Sequence, residues 1–133
     1  MKKSKQLFYL DDDHDDLSFF RDAAERLGHE VSTFTNAQDM MLDLHLAENN
    51  PDAIFLDVHM PLVNGEEILK VLKSSQDLKS IPVVMISGAY PKKLVKHFTD
   101  TGANYLMKKR PSMADLKLAI EDALEAIRLE SIR

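Results

Sequence analysis

The sequence predicts an α/β domain, a five-stranded parallel sheet with helices on both faces. Three observations lead there. Short apolar runs alternate five times with segments of helical periodicity. The run Ala53-Ile54-Phe55-Leu56 lacks polar alternation, as a central strand covered on both faces requires. Two runs end abruptly in carboxylates, at Asp11-Asp12-Asp13 and at Asp57. Strands alternating with helices at this interval need right-handed crossovers that cover both sides of the sheet.

The first strand is Leu7-Phe8-Tyr9-Leu10, stopped by the acidic block that follows. From about Asp15 to Leu27, Leu17, Phe20, Ala24 and Leu27 fall at helical spacing, aspartates suit the first turn, and Gly28 offers a stop. Residues 30–35 alternate, with β-branched Val31, Thr33 and Thr35, giving a second strand. Asn36 is placed to cap a second helix through about Glu48, with Met40, Met41, Leu44 and Ala47 on one face, and Asn49-Asn50-Pro51 ends it.

The central run 53–56 leads directly into Asp57. After Pro61 and Gly65, Ile68, Leu69 and Leu72 mark the inward face of a third helix. A fourth strand spans 81–86 and ends at Ser87, with Pro82 at its entrance, where a missing donor does least harm. Residues 92–101 form a weaker helix and 105–107 a short fifth strand. Ser112 caps a last helix whose stripe is Met113, Leu116, Ile120, Ala123, Leu124 and Ile127.

At 133 residues the chain is expected to be one domain, with 44% hydrophobic and 29% charged residues, a globular balance. A formal charge of -5, from 22 acidic against 17 basic side chains, disfavours a nonspecific grip on nucleic acid. The absence of cysteine excludes disulfides, thiolate metal sites and thiol catalysis. No run is long enough for a signal peptide or a membrane span, so a cytoplasmic location is expected.

In open parallel sheets the ligand site lies beyond the carboxyl ends of the strands. That rule gathers Asp11, Asp12, Asp57, Ser87 and Lys108, each of which ends or follows an expected strand. Crowded carboxylates stay ionised when a cation joins them, and Mg²⁺ is the hard cation suited to oxygen ligands. Carboxylates, Mg²⁺, a lysine and a hydroxyl together suit phosphoryl transfer, with an aspartate as nucleophile forming an acyl phosphate.

These residues resemble the receiver domain of two-component response regulators over nearly the whole chain. The matching set is the acidic pair Asp11 and Asp12; Asp57 followed by Met60, Pro61 and Gly65; Ser87 and Gly88; and Tyr105 three residues before Lys108. The resemblance implies a flavodoxin-like (βα)5 fold with strand order 2-1-3-4-5, a single receiver domain over residues 1–133, and no output domain.

It further implies that Asp57 accepts a phosphoryl group from a histidine kinase or histidine phosphotransfer protein. Mg²⁺ would be held by Asp12, Asp57 and the backbone carbonyl of His59, with Asp11 helping through water. Ser87 and Lys108 would bind the phosphoryl oxygens. Ser87 and Tyr105 would form a switch altering the surface of helix four, strand five and helix five. That surface would regulate a downstream protein, relay the phosphate or support a phosphorylation-dependent homodimer, with no direct contact to DNA or membrane.

Some features depart from the family pattern or admit other readings. Receivers place proline straight after the strand-five lysine, whereas Lys108-Lys109-Arg110-Pro111 delays it, and the segment from Gly102 to Tyr105 is one residue shorter than usual. Either lysine has the reach for a phosphate, and the match of the strand after Tyr105 to the family spacing favours Lys108, with a trans Lys108–Lys109 peptide. His59, two residues past Asp57, either orients the water that attacks the acyl phosphate or faces solvent; the other histidines lack ligand spacing. Asp11 and Asp13 also form the Asp-x-Asp of a haloacid-dehalogenase-like Mg²⁺ phosphatase, although Asp15 stands where that motif has threonine. A third alternative is a receiver-like scaffold that binds its partner regardless of phosphorylation.

Overall fold

The computed structural model describes residues 4–58 and 65–131. Along the chain the elements are β1 Gln6–Leu10, α1 His14–Arg26, β2 Glu30–Phe34, α2 Ala37–Leu46 and β3 Ala53–Asp57, followed by α3 Gly65–Ser74, β4 Val83–Ser87, α4 Lys92–Thr101, β5 Tyr105–Lys108 and α5 Met113–Ser131. All strand pairs are parallel and the order is β2-β1-β3-β4-β5, as expected. The order reverses at β1, so the carboxyl ends of β1 and β3 lie side by side, with Leu10 paired to Leu56.

Local chemistry explains the element ends. Asp13 has extended backbone and its side chain accepts from the Asp16 amide, so α1 starts a residue earlier than periodicity indicates. Asn36 caps α2 through the Asp39 amide, and Ser112 accepts from the Asp115 amide before α5. Glycines at φ 92° (Gly28) and 110° (Gly102) follow α1 and α4, a conformation that a side chain would strain. Helix α2 ends at Leu46, short of Glu48, because Ala47 already has extended backbone.

Side-chain alternation divides the core into two layers. Phe8, Leu10, Ile54, Leu56, Val83 and Met85 face α2, α3 and α4, meeting Met40, Leu69 and Phe98. Leu7, Tyr9, Phe55, Val84 and Ile86 face α1 and α5, meeting Phe20 and Ile120. Strands β3 and β4 are buried at every position. Each of their Val, Ile, Leu, Phe and Met side chains contributes about 1.5–3 kcal/mol on leaving water, which gives the carboxylates at the strand ends a rigid base.

Strand β5 is anchored differently. The Asn104 side-chain oxygen accepts from the Val83 amide at 2.9 Å and from Lys73 Nζ at 2.8 Å. Lys73 also donates to the Ile81 carbonyl at 2.9 Å, so one half-buried ammonium ties the end of α3 to the starts of β4 and β5. This clamp seats Tyr105 beside Val84 and fixes the facing of every β5 residue.

Candidate functional site

Asp11 and Asp57 leave their strands at the carboxyl edge and are buried to 0% and 2% exposure, while Asp12 is exposed. A carboxylate oxygen from each of the three lies within 4.8 Å of the others. Both oxygens of Asp11 are held: Oδ2 accepts from the Tyr9 hydroxyl at 2.5 Å and Oδ1 from the Asp13 amide at 3.0 Å. Burial pushes the Asp11 carboxyl up to about 7, against the lowering pull of those two bonds. A hard divalent cation relieves that cost, and three carboxylates with one side open to water suit Mg²⁺, which keeps several waters.

Gly65 explains its own place in the motif. A Cβ built there would lie 2.6 Å from the Asp57 carbonyl oxygen, so only glycine lets α3 start against the strand end. His59, Met60 and Pro61, to which the sequence assigned a carbonyl ligand and the flanking motif, lie outside the described residues.

The two adjacent lysines lie apart in the structure. Lys108 is exposed and lines a surface groove with Tyr105, Asp115, Leu118 and Asp122. Lys109 instead reaches the carboxylates, its Nζ 2.8 Å from Asp16, 3.6 Å from Asp57 and 3.8 Å from Asp11. Burial works against its charge, yet the three acids hold its pKa above the ordinary lysine value. The reason is parity: Tyr105 and Met107 face the layer of α1 and α5, and Lys109, two residues on, lines the crevice beside Met107 and Asp16. Its amide continues the ladder, donating to the Ser87 carbonyl at 2.9 Å. Every peptide bond among the described residues is trans, Lys108–Lys109 included.

The same parity moves the aromatic. Ser87 alternates with Met85 and Val83, which face α2, α3 and α4, whereas Tyr105 packs in the opposite layer. Tyr105 therefore has the sheet between itself and the Ser87 side chain, and Leu106 is the β5 residue on the Ser87 face. Ser87 is fully buried, its Oγ donating to the Ala89 carbonyl at 2.9 Å.

Asp16, Tyr9 and Tyr90 escaped the sequence reading. Tyr9 shares its strand face with Asp11 at i, i+2, a signal that alternation carries. Asp16 stands one helical turn past the Asp13 cap, where an acid ordinarily serves the helix dipole. The Tyr90 hydroxyl bonds to the backbone carbonyls of Met85, five residues back, and of Met107 on the neighbouring strand, which no local pattern announces.

Residues 7–121 match the family described as the response regulator receiver domain. Over 83 residues, 62% of this chain, the sequence is 34% identical to the polar-differentiation response regulator DivK of Brucella anthropi, and the match spans 66% of that protein, just under two thirds. The structure of the chemotaxis response regulator CheY4 of Vibrio cholerae superposes with a TM-score of 0.79 at 19% identity, covering 91% of this chain and 99% of that one, a likeness of fold alone. The phosphorylated cyanobacterial phytochrome response regulator RcpA superposes with a TM-score of 0.79 at 27% identity, covering 92% of this chain and 93% of that one. No helix among the described residues is long and apolar enough to cross a membrane.

Proposed function

The chain belongs to the response regulator receiver domain family, and on that premise we propose that it is a phosphorylation-controlled signalling switch with Asp57 as phosphoacceptor. The observation that carries the proposal is the convergence of Asp11, Asp12 and Asp57 within 4.8 Å, with Lys109 Nζ 3.6 Å from Asp57. An Asp57 carboxylate oxygen forms the new P–O bond as the P–N bond of a phosphohistidine breaks, and the leaving imidazole nitrogen takes up a proton from solvent. Mg²⁺ held by one oxygen each of Asp11, Asp12 and Asp57 would supply neutralising charge to the phosphoryl oxygens. Lys109 adds a second positive charge, and the Ser87 hydroxyl, once released from Ala89, donates to a phosphoryl oxygen.

The donor is a histidine kinase or histidine phosphotransfer protein, and the altered surface is that of α4, β5 and α5. Lys108 fits that surface better than the site, since it lines the groove that also holds the exposed Leu118. Asp13, the second acid of the Asp-x-Asp alternative, already caps α1 through the Asp16 amide, which favours the receiver reading over the phosphatase.

Intact-mass spectrometry after incubation with acetyl phosphate tests the proposal. One phosphoryl adduct that needs Mg²⁺ and is absent from Asp57→Asn is the expected result. An adduct of equal yield in Asp57→Asn would remove Asp57 from the site.

A further inference from the structure

The geometry points to Tyr90 as the positioning residue that couples the Ser87 hydroxyl to β5 and α4, the task the sequence assigned to Tyr105; this rests on Asp57 being the phosphoacceptor. The β5 position on the Ser87 face is Leu106, which has no hydroxyl and no ring. A ring reaches that face from the loop. Tyr90 packs against the same layer as Leu94 and Leu106, and its hydroxyl lies 2.8 Å from the Met85 carbonyl and 2.7 Å from the Met107 carbonyl. One hydroxyl hydrogen is thus shared between acceptors on adjacent strands, and burial holds the phenol well above its ordinary pKa, so the donor stays protonated.

The connection to Ser87 is short. Ser87 Oγ donates to the Ala89 carbonyl at 2.9 Å and faces the Ala89 amide at 3.3 Å, and Tyr90 is the next residue. The Pro91 carbonyl then accepts from the Leu94 and Val95 amides, the first turn of α4. When Ser87 Oγ turns to a phosphoryl group on Asp57, it leaves Ala89. The loop shifts, the Tyr90 hydroxyl leaves its two carbonyls, and the start of α4 and the edge of β5 loosen together. The hydroxyl is the latch of the unphosphorylated state, a two-arrangement element that the site biases.

Hydrogen–deuterium exchange tests the latch. Wild type, Tyr90→Phe and Tyr105→Phe are compared with and without Mg²⁺ and beryllium trifluoride, a phosphoryl mimic that binds a carboxylate oxygen, and Mg²⁺-dependent labelling of Asp57 by acetyl phosphate is checked by mass in each. Wild type is expected to exchange faster at 92–95 and 105–108 on adding the mimic. Tyr90→Phe is expected to show that faster pattern already without it, by about fivefold to tenfold, the scale of one lost hydrogen bond, with little further change on addition. Tyr105→Phe is expected to respond as wild type. A merely structural Tyr90 would raise exchange equally in both states and leave the difference intact, which overturns the inference. So does loss of the response in Tyr105→Phe, or a wild type that is labelled on Asp57 yet shows no change. Failure of wild type to be labelled at all sinks the phosphoacceptor reading, and the latch with it.

Discussion

The edge formed by β1 and β3 and the edge formed by β4 and β5 meet at one site but are specified in different ways. At the first, two strands buried almost throughout run into Asp11 and Asp57, and a one-residue slip would drive carboxylates into the core. At the second, β5 has four residues of which only Met107 is buried, so its facing depends on the Asn104–Lys73–Val83 clamp outside the strand. A motif on a buried strand keeps its spacing, whereas one on a short, half-exposed edge strand can shift by a residue and keep its chemistry with a different side chain. Here Lys109, rather than Lys108, lies 3.6 Å from Asp57, and Tyr105 packs in the layer of α1 and α5.

The sharpest way to break this comparison is to remove each lysine in turn. Lys109→Ala is expected to slow labelling by acetyl phosphate about 10²-fold, the usual cost of losing one charge-stabilising donor, while Lys108→Ala stays within about twofold, its ammonium being exposed. Timed intact-mass measurements decide it, and the reverse order would restore Lys108 as the lysine that serves the site.

A smaller effect tests the buried edge. The folded-state pKa of Asp11 lies above its ordinary value of 3.8, at about 7, so the folded protein binds the extra proton. The stability that proton confers is fully present below about pH 4 and is lost as pH rises towards 7. Without Mg²⁺, the Asp11 contribution is therefore expected to lower Tm across that interval. Saturating Mg²⁺, which binds the carboxylate form, should raise Tm most at the upper end. The difference between the Tm profiles of wild type and Asp11→Asn isolates this contribution, and identical profiles would show that Asp11 does not titrate there.

The smallest effect concerns the partner that Lys109 approaches most closely. Asp16 is 2.8 Å from Lys109 Nζ and partly exposed, so Asp16→Asn is expected to change stability by less than about 1 kcal/mol. Freed from that contact, Lys109 should turn to the phosphoryl group more readily and speed labelling about twofold to threefold. Slower labelling would mean that Asp16 steers the lysine toward Asp57.

The sequence by itself determined the five βα units, the sheet order through its family resemblance, and the acidic cluster. Uninterrupted apolar runs such as 53–56 have one stable environment, between two helical layers, and a carboxylate at the end of such a run can only emerge at the edge. Tertiary structure decided which lysine joins the carboxylates and which aromatic lies on the Ser87 face. Tyr105-Leu106-Met107 is apolar at successive positions and so carries no period-two signal. The face each residue takes was left to the Asn104 clamp, and the place beside Leu106 to a tyrosine folding back from the loop before α4. Those are contacts between residues far apart in the chain, and sequence pattern records only the near ones.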